Sequence, residues 1–318
     1  MADTLESLIA ELVAPFAVIV NTSLREFTKT VVSSGTPDGI FHYTDDKGLY
    51  GILSSGKLWL NDVFNLNDPT ELAHGVNLTV SWLERHEDIS PSVQDYLLRC
   101  ISGYVQHGIA KLANSVFIAS FSAHSDDLGQ WRAYADNGSG FAIEFDGKTL
   151  EDGFVGQSSS AVQLIANKVH YDNDLYTERM STVIKAAISA LEQLEIRGCE
   201  LHLKQSVATE ITTELMMCLV SMSSVFKDAQ YANENEYRFA QAIQNTPDEL
   251  ASVKTRMRPY NLIRYVEFDW KTLYSGALKR ILVGPATESK AERFANDCAR
   301  EFGFSHIEVI KSKVPYRP

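Results

Sequence analysis

Near the start of the chain Leu5, Leu8, Ile9, Leu12, Val13 and Phe16 recur at helical spacing and predict a helix over residues 4–32. Asp3 is placed to cap it, with Glu6 as a capping-box partner. Turn residues over 33–39 end it. A period of two then takes over. Residues 40–44 read as a strand, 47–56 as a short helix closed by Gly56, and 57–61 as a second strand. The pattern over 71–112 is helical, with a break near Ser90 and Pro91. Strands are predicted at 115–123 and 140–146, with a helix and a turn between them. Residues 175–226 read as two helices split near Gly198. Further strands are predicted at 235–243, 263–269, 278–285 and 306–314, and a helix over 287–303 ends at Gly303.

Strands in clusters, separated by helical stretches, predict an α+β fold with mixed, mostly antiparallel sheets rather than a doubly wound parallel sheet. The expected organisation is an N-terminal helical extension over 1–34 and one α+β domain over 35–318, with helical insertions near 71–112 and 175–226.

Composition narrows the function classes. The chain has 318 residues, 45% of them hydrophobic, with a formal net charge of −12. An acidic chain repels a phosphate backbone. This argues against broad, sequence-independent nucleic-acid binding and leaves open a local basic groove. Cys100, Cys199, Cys218 and Cys298 form no CxxC or Cys/His pair, so no metal site is expected. A reduced, cytoplasmic protein is the simplest reading. The apolar run Leu12 to Val20 contains Pro15 and is shorter than a bilayer span, so a soluble chain without a membrane partner is expected.

Four stretches carry candidate chemistry. In Phe41-His42-Tyr43-Thr44, alternation puts Phe41 and Tyr43 on one face and His42 and Thr44 on the other. The plain alternative is a structural strand with a hydrogen-bonded histidine. Asn67-Asp68-Pro69 is a turn signal in which capping accounts for one polar residue, but not for Asn65, Asn67, Asp68 and Glu71 together. In the stretch from Ser120 to Phe145, Ser120 and Ser122 share a strand face, and Trp131 and Tyr134 are three apart on a helix. The plain alternative, and the commoner fate of such pairs, is that both aromatics are core. Glu234 and Glu236 flank Asn235, and Arg238 follows Glu236 by two on the same strand face, a spacing that suits an ion pair.

Taken together, FHYT with GLYGIL and NLNDPTE, FIASFS with WRAYADNGSGFAIEFD, ENEYRF, and KRILVGP with YR resemble the bacterial domain-of-unknown-function family DUF2971 over about residues 40–317. A more distant resemblance links the His-Tyr-Thr strand and the helix-turn-strand after it to ADP-ribosyltransferase-type proteins. That resemblance implies an ADP-ribosyltransferase-like core and NAD as co-substrate. It implies His42 on the ribose, Ser120 or Ser122 beside the nicotinamide, and Glu236 stabilising the oxocarbenium-like ribose cation. Tyr43, Trp131 and Tyr134 would sandwich the ring. Thr44, Asn67, Asp68, Glu71 and Arg238 would border the same cleft. Two functions follow as expectations. One is an NAD-dependent transferase or NAD glycohydrolase, including toxin and phage-defence effectors, with a nucleic-acid or protein acceptor. The other is a non-enzymatic module of the same fold that binds a nucleotide or a partner.

Overall fold

The structure, a computed structural model, describes residues 4–32, 35–63, 70–107, 114–157, 162–244, 250–258 and 260–316. The chain divides into two compact units, each built from three stretches of sequence.

The helical unit takes residues 1–33, 63–116 and 170–229. Its first helix, α1 (Leu5–Leu8), passes through a π turn at Ile9–Val13 into α2 (Ala14–Val32). The N-cap is Thr4, and Ser7 rather than Glu6 completes the capping box. Asp3, expected as the cap, lies outside the described residues. Pro15 does not interrupt the helix. It is the second residue after the widened π turn, which accommodates the missing N–H and the ring's bulk. Leu5–Glu26 is consequently long and apolar enough to cross a membrane by length and composition. The expectation of a run too short for that is corrected on this point. One stripe of the helix (Leu8, Leu12, Val13, Phe16 and Val20) is packed in the core of the unit. The other helices are α4 (Thr70–Arg85), α5 (Pro91–His107), α8 (Asn173–Ile196) and α9 (Leu201–Ser223). Within their core, the Tyr176 hydroxyl meets Ser223 Oγ at 3.2 Å and Thr79 Oγ1 at 3.3 Å, so these buried hydroxyls satisfy one another.

The sheet unit takes residues 34–62, 117–169 and 230–318. Its strands are β1 (Gly39–Thr44), β2 (Lys57–Asp62), β3 (Asn114–Ser122), β4 (Phe141–Asp146), β5 (Val162–Lys168), β6 (Glu236–Gln244), β7 (Lys254–Arg258), β8 (Asn261–Asp269), β9 (Leu278–Val283) and β10 (Glu308–Lys311). They run in the order β10-β9-β4-β1-β3-β2-β8-β7, with β6 also pairing β3 and β5 pairing β6. The described strand pairs are antiparallel except β9–β10. The mixed, mostly antiparallel sheet expected from the strand clusters is therefore present.

Helices α3 (Asp46–Ser55), α6 (Leu128–Tyr134), α7 (Gly147–Val155), α10 (Lys271–Tyr274) and α11 (Ser289–Glu301) complete this unit. Asp45 caps α3 by accepting from the Gly48 amide, and Gly56 ends it at φ 68°, where a side chain would be strained. One face of the sheet buries a large aromatic core. Phe154 stacks on Phe239 at 4.6 Å, Phe121 lies 5.0 Å from Phe239, and Trp270 meets Phe145 at 5.2 Å. On the opposite face of β1 and β4 sits a smaller cluster: Phe41, Tyr43, Trp131, Ala135, Ala142 and Leu282.

Candidate functional site

The register of β1 decides where its polar residues point. His42 pairs with Ile143 of β4 and Tyr43 with Ala142. Ile143 belongs to the large core and Ala142 to the small cluster, so His42 faces the first and Tyr43 the second. The His42 ring meets the edge of Phe121 at 5.7 Å, and its Nδ1 lies 3.2 Å from the Ser120 carbonyl. A carbonyl only accepts, which places the proton on Nδ1. Although half-buried by surface area, the ring is crowded by protein. This desolvation lowers its pKa, against a smaller upward pull from the Ser120 carbonyl. His42 is thus a neutral imidazole at pH 7.

Tyr43 is a clip between β1 and the loop before α6. Its hydroxyl donates to the His124 carbonyl at 2.9 Å and accepts from the Asp127 amide at 3.3 Å. Burial raises its pKa well above the ordinary phenol value. Trp131 stands edge-on to Tyr43 at 4.9 Å, is 0% exposed, and donates its indole N–H to Asp126 at 2.7 Å. Neither ring offers a face to a nicotinamide, which corrects the expected sandwich. Their physical role is to pin α6 to the sheet. Tyr134, three residues on, points away from this cluster. It is exposed, and its hydroxyl donates to Glu234 Oε1 at 2.9 Å. Thr44, half-buried at the end of β1, fills the space a Cβ on Gly48 would need.

The remaining polar groups lie on the face opposite the large core. Phe41 pairs with Ser122, so Ser122 shares the Phe41 face. Its hydroxyl donates to the Glu234 carbonyl at 2.8 Å and accepts from the His124 amide at 3.1 Å, tying the end of β3 to the turn before β6. Ser120, on the same face, is exposed. In β6, Tyr237 and Phe239 enter the large core. By alternation Glu236 and Arg238 project the other way. Arg238 Nε donates to Glu236 Oε1 at 2.7 Å and its Nη2 to Oε2 at 2.8 Å. Arg238 is 1% exposed and Glu236 6%. The two-residue spacing read from the sequence thus gives a buried, two-pronged ion pair.

His42 and Glu236 consequently leave the sheet on opposite faces. The structure brings Glu236, Arg238 and Ser122 to one side and sets His42 on the other. The shared cleft expected for His42, Ser122, Trp131 and Glu236 does not form, because β1 and β6 each turn alternate residues into the large core and their polar residues fall in opposite phase. Asn65, Asn67 and Asp68 lie outside the described residues. Glu71 falls in the first turn of α4. Among the described residues, no three His, Cys, Asp or Glu side chains are grouped to hold a metal ion.

Sequence reasoning missed Asn167. It pairs directly with Arg238 across β5 and β6, is 2% exposed, and its Oδ1 has no hydrogen-bond partner among the described residues. A buried amide oxygen without a partner costs about 1–3 kcal/mol, so its presence beside Arg238 is the strongest irregularity on this face. The signal available was the alternation of Leu164 and Ala166 against Ile165 and Asn167.

No curated protein and no solved structure matches the chain. A family model described as a protein of unknown function, DUF2971, matches residues 130–239, so the stretch holding Trp131, Asn167, Glu236 and Arg238 is similar to that family.

Proposed function

We propose that the chain is a non-enzymatic module on an ADP-ribosyltransferase-like scaffold, one that binds a nucleotide-bearing ligand without cleaving it. The observation that carries this reading is the state of Glu236. Cleaving the nicotinamide–ribose bond needs a carboxylate whose charge is available to a developing cation. Both oxygens of Glu236 already accept from Arg238, and the charge it would lend is balanced there. His42, the residue assigned to the ribose, stands on the other face of the sheet and is held to a main-chain carbonyl.

Isothermal titration of the purified chain with NAD, ADP and AMP tests the reading, with the ligand recovered afterwards and analysed by chromatography. A saturable heat with intact ligand is the expected result. Recovery of free nicotinamide after incubation with NAD would replace the binding module by the transferase or glycohydrolase.

A further inference from the structure

The first helix of the chain leaves most of its apolar surface outside the core that holds it. Leu5–Glu26 is apolar enough to cross a membrane, yet only 28% of its most apolar stretch is buried. The buried stripe is Leu8, Leu12, Val13, Phe16 and Val20. The other side shows Ile9, Ala10, Ala14, Pro15, Val18 and Ile19, all exposed. Single apolar residues on a surface are ordinary, but a strip running along a helix marks an interaction site. Beside it, Arg197 Nη2 donates to Glu11 Oε2 at 2.6 Å, which brings the turn between α8 and α9, with its exposed Ile196 and Leu201, next to the strip.

Charge identifies what fits. Glu6 and Arg25 stand at the two ends of the strip, both exposed, and neither makes an ion pair among the described residues. The π turn at Ile9–Val13 takes up one extra residue, so the nineteen steps from Glu6 to Arg25 close about five whole turns and put both charges on one side of the helix. A strip that is acidic at its start and basic at its end is complementary to itself only when reversed. A two-fold axis beside Pro15 sets Glu6 of each copy against Arg25 of the other. It also lays Val18 and Ile19 of each copy against Ala10 and Ala14 of the other, whose small side chains let the two helices approach closely. A parallel pair would bring like charges together.

A bilayer fits the strip less well. To cross one, the helix would have to pull five side chains out of the core of its unit. To lie on one, it would present Glu6 and Glu11 to the headgroups, and from Leu5 to Leu24 it has no Lys, Arg, Trp or Tyr to anchor it there. We propose that the strip is an isologous interface through which two copies of this chain pair by their antiparallel N-terminal helices. The inference stands apart from the nucleotide-binding reading. A helical strip about 33 Å long and about 10 Å wide falls below the roughly 800 Å² per partner of a standard interface, so the dimer is expected to dissociate on dilution.

The test is analytical ultracentrifugation of the full chain between about 1 and 100 μM. Wild type is expected to pass from monomer to dimer over that range. Val18→Glu, at a position exposed in the single chain, is expected to weaken pairing by about 100-fold or more while leaving the thermal melt of dilute protein unchanged. Glu6→Arg and Arg25→Glu are each expected to weaken it by about 3- to 30-fold, and the two variants mixed should pair with each other better than either pairs with itself. Wild type that stays monomeric throughout, or a dimer indifferent to Val18→Glu, overturns the interface. Charge variants that do not complement each other overturn the antiparallel arrangement. Co-sedimentation with phosphatidylcholine–phosphatidylserine vesicles is run alongside. Vesicle binding by a monomeric wild type that Val18→Glu abolishes gives the strip to a membrane and overturns the dimer.

Discussion

Replacing Arg238 by methionine removes one half of a pair that is nearly sealed from solvent. Arg238 is 1% exposed and Glu236 6%, and two hydrogen bonds of 2.7 and 2.8 Å join them. Breaking such a pair from one side strips a buried charge of its two-pronged partner and costs about 3–5 kcal/mol. Replacing both residues with apolar ones of similar size is often neutral, because the desolvation of both ions is also removed. Arg238→Met should therefore be strongly destabilising, Glu236→Leu comparably so, and the double variant less damaging than the two losses added together by at least about 2 kcal/mol. Urea unfolding followed by tryptophan fluorescence is the assay. Trp59, Trp131 and Trp270, three of the four tryptophans, lie in the sheet unit that holds the pair. With a slope of about 3 kcal/mol/M, a loss of 3 kcal/mol moves the midpoint by about 1 M. A shift below about 0.3 M for Arg238→Met, or single losses that simply add, would refute the reasoning.

Three other substitutions and titrations follow from the structure. Gly140→Ala should destabilise by about 1–3 kcal/mol or more, since its Cβ would lie 2.2 Å from the main-chain oxygen of Thr44, whereas Gly51→Ala in α3 meets nothing within 4 Å and should stabilise by a few tenths to 1 kcal/mol; thermal melts of both decide. His42 has a lowered pKa in the fold, so the unfolded chain binds its proton first as pH falls, and stability should decline below about pH 6.5; urea midpoints at pH 7.5 and 5.5 should differ less in His42→Gln than in wild type. Burial pushes the Cys218 thiol up to about 12, so Cys218→Ser should leave the count of thiols reacting with Ellman's reagent at pH 8 unchanged in the folded protein and lower it by one in urea.

Much of the fold was legible from local pattern. The strand–helix–strand of β1, α3 and β2 showed in the alternation of residues 40–44, the glycine at 56 and the apolar spacing between them. The break at Pro91 and the split near Gly198 also fall where the helices end. β7 was not legible, because Lys-Thr-Arg-Met-Arg has no buried side and hence no alternation to read. β5 was not legible because Val162–Lys168 mixes Gln163, Asn167 and Lys168 with its apolar residues and follows the polar run Ser158-Ser159-Ser160. The site suffered from a different limit. Alternation sorted Phe41 and Tyr43 from His42 correctly, but β1 is covered on both faces, and a strand buried on both sides does not announce which face meets the larger core. Trp131 on a seven-residue helix gave no periodicity long enough to reveal its burial. The Glu236–Arg238 pair was readable because its geometry depends on two residues of one strand and on nothing distant.

The central proposal is that Glu236 serves the structure through Arg238 rather than as a catalytic carboxylate. The measurement that tests it most directly is nicotinamide release from NAD by the purified wild-type chain over several hours, compared with a protein-free blank and with Glu236→Gln. The account predicts that all three give the same background. Release by wild type above the blank that drops about 10²–10³-fold in a folded Glu236→Gln variant would contradict it.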